Sequence, residues 1–392
     1  MYNIMVLGAG VYQVPLIKKV RQMGYRAVVV SPEGNYPGFD YADETVFLDT
    51  RDHLNILKKA KELSIKAVVT SGSDVSVPTI GYLVDELGLY GTGYEAAKRS
   101  MDKVLMKQCF IENGVATAPF YSVTNYDELL VQAEEIGYPV MVKATDSSGS
   151  RGITKVNCHE DLADAYHESL SVTKSNFVIV EKYLDGYELG ASALIQRGIA
   201  EVYVFNDINT PPPVSVPIAH SIPSGLDSQL LDEIKGLVSK AALALGVHNG
   251  FINADIMIVK GQPYMLELGA RMGATCIPEI TSIYSGLDMY ECIINLALGE
   301  KVILAEFEKQ PCAGEIIRSS KTGVVKNIFI PDSVKSCPDL IDLSLDVNVG
   351  DAVRAFKVGP DRIGQIIVKG RTSDEAQALA TDLLSAIKID VE

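Results

Sequence analysis

The stretch Phe251–Ala274, FINADIMIVKGQPYMLELGARMGA, decides the reading of this chain. Two apolar runs, Ile252–Val259 and Pro263–Leu268, flank Lys260-Gly261-Gln262. That pattern predicts a β-hairpin closed by a three-residue, glycine-containing loop. Pairing the strands about Gly261 sets Asp255 opposite Glu267, with Cβ atoms about 5 Å apart. Alternation then places Asp255, Met257, Met265, Glu267, Gly269 and Arg271 on one face. Ala254, Ile256, Ile258, Tyr264, Leu266 and Leu268 fall on the other, which reads as core. Facing carboxylates repel unless a cation lies between them. A hard divalent ion such as Mg²⁺, shared with substrate phosphates, suits that position. The alternative is a solvated acidic pair on an exposed strand.

The chain has 392 residues, enough for two or three domains. A net charge of −15 argues against a nucleic-acid surface and for a soluble cytoplasmic protein. No apolar run approaches the roughly 20 residues that span a bilayer, so no membrane partner is expected. The N-terminus lacks a basic start and runs straight into a strand, so no signal peptide is evident. Cys109, Cys158, Cys276, Cys292, Cys312 and Cys337 show no CxxC spacing and read as scattered thiols.

Taken in order, strands at Asn3–Leu7, Arg26–Ser31, Thr45–Leu48 and Ala67–Ser71 alternate with amphipathic stretches at Val14–Met23 and Asp52–Leu63. This predicts a parallel α/β unit of about 90 residues. Gly8-Ala9-Gly10 opens a turn, but Gln13 stands where a dinucleotide fingerprint needs its third glycine. Ser73 and Asp74 follow another strand end, where open α/β sheets hold ligands. A helix is expected over Glu95–Asn113, with Lys98, Arg99, Lys103 and Lys107 along it. The strand Pro139–Ala144 delivers Lys143 into a loop, residues 146–152, dense in small side chains whose backbone N–H groups can close over phosphates. It does not match the Walker P-loop. The strand Phe177–Leu184 could form a slot for adenine, with Glu188 on ribose hydroxyls. Past Cys312 the texture changes to short strands at Gly314–Arg318, Val324–Ile330, Ala352–Lys357 and Gly364–Lys369.

Lys103, the strand and loop PVMVKATDSSGSRG, EKYLDGYE and the hairpin ending in ELGAR, in that order, resemble the ATP-grasp superfamily. The tail GPDRIGQIIVKGRTSDEAQALATDLL resembles the C-terminal domain of its biotin carboxylase and glycinamide ribonucleotide synthetase branch. The resemblance implies an α/β and α+β multidomain protein. Residues 1–95 would form an N-terminal parallel α/β domain. Residues 96–310 would form an ATP-grasp core of two α+β subdomains, with a lid at about 123–187, and residues 311–392 a small β-rich C-terminal domain. It further implies that Lys103 and Lys143 neutralise ATP phosphates, covered by a loop containing Ser148, Gly149, Ser150 and Gly152. Glu181, Tyr183 and Leu184 would line the adenine slot and Glu188 would hold the ribose. Asp255 and Glu267 would hold Mg²⁺, with Mn²⁺ as a substitute, and Arg271 would face the transferred phosphate as the catalytic cation. Gly269 departs from the pattern, because many members carry Asn there as a further metal ligand.

The activity implied is phosphorylation of a small-molecule carboxylate by ATP and capture of the acyl phosphate by an amine. The protein supplies positioning and charge neutralisation. Rival readings are a bicarbonate-phosphorylating carboxylase or carbamoyl-phosphate-type enzyme, and a regulatory protein that binds nucleotide without turnover. A nicotinamide enzyme is a more distant alternative. Candidates for the acceptor side are Ser73, Asp74, His220 and Arg318, each with a duller role as a surface or capping residue. Small-molecule carboxylate and amine substrates are the expected partners, and a homodimer is a permitted assembly.

Overall fold

Four runs that are apolar almost throughout build the first sheet. In the computed structural model, which describes residues 1–145, 152–173, 175–210, 216–304 and 307–392, they are β1 (Asn3–Leu7), β2 (Arg26–Ser31), β3 (Glu44–Phe47) and β4 (Ile65–Val69). They pair in parallel in the order β3-β2-β1-β4. Continuous apolar character fits a sheet covered on both faces, and Ile4, Met5, Val6 and Leu7 are fully buried. The order reverses between β1 and β4, and ligands bind off the carboxyl ends of strands at such a point. Gln13 occupies the turn there. Its Oε1 accepts from the Gly10 N–H at 2.9 Å and its amide donates to the Ser71 carbonyl. The crevice that would receive a pyrophosphate in a dinucleotide fold is therefore filled by a protein side chain.

The next sheet is antiparallel, with strands β5 (Phe120–Val123), β6 (Val140–Lys143), β7 (Ile153–Val156) and β8 (Val178–Lys182) in the order β5-β8-β6-β7. Helices Tyr126–Ile136 and Leu162–Val172 cover one face. Val140, Val142, Val178 and Val180 join Leu129 and Leu162 in that core. A period of two turns Met141, Lys143, Ile179 and Glu181 to the opposite face, where they line a cavity.

An eight-stranded sheet forms the far wall. Its strands include β9 (Tyr187–Gln196), β10 (Ile199–Asn209), β11 (Pro217–Ile222), β12 (Gly250–Val259) and β13 (Gln262–Gly269). Beyond these the chain forms β14 (Cys312–Ile317), β15 (Gly323–Phe329), β16 (Leu340–Leu345), β17 (Ala352–Val353), β18 (Gly364–Lys369) and β19 (Lys388–Val391). The sheet order is β13-β12-β9-β10-β11-β14-β18-β16, so part of the tail extends the central sheet through the β11–β14 ladder. The remaining strands pair as β17-β15-β19. The strand expected over Ala352–Lys357 shrinks to two residues. Among the described residues, no helix is long and apolar enough to cross a membrane.

The hairpin departs from its expected form in an instructive way. Val259 pairs with Gln262, so the turn has two residues, Lys260 and Gly261, both with positive φ (50° and 80°). That is the mirror-image turn whose twist matches paired strands. It shifts the register by one, and a β-bulge between Asp255 and Ile256 shifts it back. Asp255 consequently does face Glu267, but through a compensating irregularity. Between turn and bulge the faces exchange. Met265 is fully buried in the core against Ile256, whereas Leu266 lines the cavity.

The single helix expected over Glu95–Asn113 is likewise two, Tyr94–Arg99 and Lys103–Glu112. Asp102 starts the second by accepting from the N–H groups of Val104 and Leu105 at 2.9 and 3.0 Å. Lys103 therefore stands at the first helical position.

Gly190 lies on β9 directly opposite Asp255, and the Phe205 ring packs onto its Cα. A methyl group there would overlap the ring. Gly190→Ala should lower stability by about 1–3 kcal/mol in urea unfolding, the usual cost of overpacking a rigid site.

Candidate active site

The sheets enclose one cavity of about 460 Å³. Its cationic wall comes from the helix Lys103–Glu112 and the end of β6. Lys107, at helical spacing i+4 from Lys103, is buried and lies 2.7 Å from Glu181. Lys143 pairs with the other oxygen of the same carboxylate. Burial alone would raise the Glu181 pKa, yet Lys143 and Lys107 together hold it at about 2. Burial and the neighbouring Lys143 push the Lys107 ammonium below its ordinary value in spite of Glu181. The carboxylate of Glu181, expected on the adenine slot, is shared by the two lysines and lines the cavity with Tyr183 and Leu184.

The opposite wall is acidic. Lys103 Nζ pairs with Glu267 Oε2 at 2.7 Å. Burial disfavours the Lys103 charge, but Glu267 and then Asp255 keep its pKa above the ordinary value. Asp255 itself is pushed well above the carboxylate range, first by burial and then by Glu188, Glu267 and Asp207. Burial and Asp207 raise Glu188 as well. Only Glu267 of these four carboxylates is paired with a lysine, while Arg271 and Lys143 offset Asp255 and Glu188 in part, and a divalent cation would relieve the remainder. Among the described residues, no three His, Cys, Asp or Glu side chains are grouped as a complete metal cage. Two carboxylates plus phosphate oxygens are the arrangement Mg²⁺ ordinarily accepts.

The third wall joins the N-terminal sheet to the hairpin. Ser71 forms a parallel bridge with Met272, and Gly72 N–H donates to the Met272 carbonyl at 3.1 Å. This brings Asp74 to Arg271, whose Nε donates to Asp74 Oδ1 at 2.6 Å while Nη1 reaches the Met272 carbonyl at 3.3 Å. Across the cavity, His220 Nδ1 lies 2.5 Å from Asp207 Oδ1, a pair created by the β10–β11 ladder. The Phe205 ring meets His220 edge-on at 5.3 Å. His220 Nε2, Asn209 Oδ1 and Asn253 Oδ1 are shut off from solvent without a hydrogen-bond partner, and all three residues line the cavity.

Of the residues singled out from sequence, Lys103, Lys143, Glu181, Tyr183, Leu184, Glu188, Asp255, Glu267, Arg271, Asp74 and His220 line this cavity together. Lys155 Nζ stacks 3.6 Å from the Tyr183 ring centre. Ser148, Gly149 and Ser150 lie outside the described residues. Gly152 is turned to structural use: its carbonyl accepts from Ala144 N–H at 2.8 Å and Ser169 Oγ at 3.1 Å. Ser73 accepts from Ser76 Oγ at 2.9 Å and serves its own turn. Arg318 is drawn elsewhere, 3.5 Å from Glu315 and stacked over Phe356, beside Lys321 and Lys326 in a separate cavity. Lys107, Asp207, Asn209 and Asn253 belong to the cavity without having been singled out. Lys107 was legible from its spacing to Lys103; the other three depend on strand pairings that leave no local signal.

A parallel α/β unit, a small antiparallel sheet and a carboxylate-bearing sheet around one cavity define an ATP-grasp protein, a class of nucleotide-binding ligases. Residues 102–304 match the family model for the carbamoyl-phosphate synthase L chain, ATP binding domain. Residues 315–392 match L-amino acid ligase C-terminal domain 2. The chain belongs to the first of these families and thereby to the ATP-grasp superfamily. The crystal structure of phosphoribosylglycinamide synthetase from Anaerococcus prevotii is similar with a TM-score of 0.86 and 28% identity, covering 100% of both chains. L-amino acid ligase from Bacillus licheniformis shares the fold with a TM-score of 0.84 at 19% identity, over 100% of this chain and 99% of that one. So does the biotin carboxylase domain of the Hydrogenobacter thermophilus 2-oxoglutarate carboxylase, solved with MgADP, ADP and bicarbonate. Its TM-score is 0.82 at 18% identity, over 99% of this chain and 90% of that one.

Replacing Glu181 by Gln should cost about 3–5 kcal/mol, because it leaves Lys107 and Lys143 buried without a counter-charge. The Glu181 pKa is depressed from 4.5 to about 2, so its contribution is complete above the unfolded value and fades as the pH falls towards about 2. Urea unfolding of both proteins should show the stability gap narrowing between about pH 4.5 and pH 2.

Proposed function

We propose that this chain is an ATP-dependent ligase that phosphorylates a small-molecule carboxylate and joins it to an amine, releasing ADP and phosphate. The observation that carries this reading is one cavity lined by Lys103, Lys107, Lys143 and Arg271, by Asp255 and Glu267, and by the His220–Asp207 pair. Lys103 and Lys143 would neutralise the ATP phosphates, with Lys107 beside them. Tyr183 and Leu184 would border the base, and Glu188 the ribose. Asp255 and Glu267 would hold Mg²⁺, which supplies further charge neutralisation at the phosphates when bound.

The acceptor carboxylate oxygen attacks the γ-phosphorus, the bond to the β-phosphate oxygen breaks, and an acyl phosphate and ADP result. Arg271 would stabilise charge on the transferring group, its guanidinium held by Asp74. The amine nitrogen then bonds to the acyl carbon and phosphate leaves. His220 donates Nδ1–H to the Asp207 carboxylate, which makes Nε2 the basic nitrogen facing the cavity. It is positioned to take the proton that the amine loses. The unpaired Oδ1 of Asn209 favours a nucleophile that brings N–H donors, which supports the amine reading over the bicarbonate one.

Phosphate release from ATP should require both a carboxylate and an amine, tested with pooled amino acids and ribonucleotide amines. Release with bicarbonate and no amine would support the carboxylase reading instead. Nucleotide binding without release under any pairing would support a regulatory protein. His220→Asn should lower turnover by about 10²–10⁴-fold, the usual contribution of a positioned base, while ATP affinity stays unchanged. Normal turnover in that variant would remove His220 from the reaction.

A further inference from the structure

We infer that Asn253 supplies a third protein oxygen to the divalent cation, in the place left open by Gly269. Asn253 lies on β12 two residues before Asp255, so both side chains share one face of the strand. Across the ladder Asp255 faces Glu267 and Asn253 faces Gly269, which has no side chain to cover it. Both residues line the same cavity as Glu267.

The amide oxygen of Asn253 is shielded from solvent and accepts no hydrogen bond. A buried acceptor left unpaired is destabilising unless a ligand satisfies it. The chain closes over it from the other side, since a Cβ on Gly273 would stand 3.0 Å from that oxygen. The space at position 269 is also spoken for. A Cβ there would sit 3.4 Å from Asp74 Oδ1 and 3.8 Å from the Arg271 guanidinium carbon, so a longer side chain would compete with that ion pair. A donor reaching from β12 instead leaves Arg271 and Asp74 undisturbed. Neutral amide oxygens are ordinary ligands for hard cations. Asp255, Glu267 and Asn253 thus form a set of two charged oxygens and one neutral oxygen on adjacent strands.

This inference rests on the nucleotide and cation part of the proposed function and is independent of the acceptor substrates. The test is Mn²⁺ binding to the full chain in the presence of ADP, followed by electron paramagnetic resonance and by calorimetry. Asn253→Ala should weaken Mn²⁺ about 10-fold, the lower end of what loss of a supporting ligand costs. Its affinity for ADP without metal should be unchanged. Asn253→Asp keeps the size and an oxygen, and should bind Mn²⁺ as tightly as the parent or tighter. Asp255→Asn serves as the reference and should abolish the high-affinity signal. Unchanged Mn²⁺ affinity in Asn253→Ala, with binding lost in Asp255→Asn, would overturn the role of Asn253 alone. Binding retained in Asp255→Asn would overturn the cation site itself. Should Asn253→Ala not fold, a 10-fold weakening in Asn253→Asp would overturn the inference equally.

Discussion

Asp255 and Glu267 are held face to face by backbone hydrogen bonds that neither side chain can escape. Two like charges at that separation are unfavourable in a sheet, and burial of Asp255 makes them more so. Their environment only partly relieves the strain. Glu267 has Lys103, whereas Asp255 faces Glu188 and Asp207 with only a smaller offset from Arg271. A fold that merely sought stability would place apolar groups on this face, as it does with Ala254, Ile256 and Ile258 on the other. The ladder enforces the repulsion, and the lysine at the helix start and the proposed cation site both answer to it.

How the hairpin was legible shows what sequence can and cannot carry. Alternation identified both strands and symmetry about Gly261 found the right carboxylate pair. It did so because a two-residue turn and a one-residue bulge cancel. The cancellation fails between them, which is why Met265 and Leu266 were assigned to the wrong faces. A period-two pattern contains no sign of an inserted residue; only the partner strand reveals it. The break in the Glu95–Asn113 helix was more accessible. Ser100 and Asp102 are cap formers, and Asp102 does cap the second helix. Continuous helical spacing of the basic residues concealed it.

Long-range pairing accounts for most of what was missed. Asp207 and His220 meet because β10 and β11 pair antiparallel, across residues 211–215 that lie outside the described part of the chain. Neither residue carries a local signature of the other. The same holds for Arg271, whose partner Asp74 is delivered by the docking of the segment after β4 on Met272. The N-terminal sheet shows the reverse case. Its four apolar runs announce a parallel sheet, and Gln13 in place of a glycine announces that the turn serves the protein's own hydrogen bonds.

The overall charge of −15 argues against a polyanionic partner such as nucleic acid, yet the proposed substrate is itself a polyanion. The two statements are compatible because field, not net charge, acts at a site. Lys103 and Lys107 come from one helix, Lys143 from β6, and Arg271 from the segment after β13. The topology gathers them within one concave space, whose low-dielectric walls focus their field. Glu181 prevents the lysines from dispersing one another, since its single carboxylate binds both Lys107 and Lys143. That counter-charge also leaves the group net positive, so an incoming phosphate meets attraction without the lysines first having to be assembled. The acidic wall opposite repels the same phosphate unless a cation intervenes. Under the proposed function a nucleotide would lie against the lysines and reach the carboxylates only through a metal ion, so that the two walls together would set its orientation.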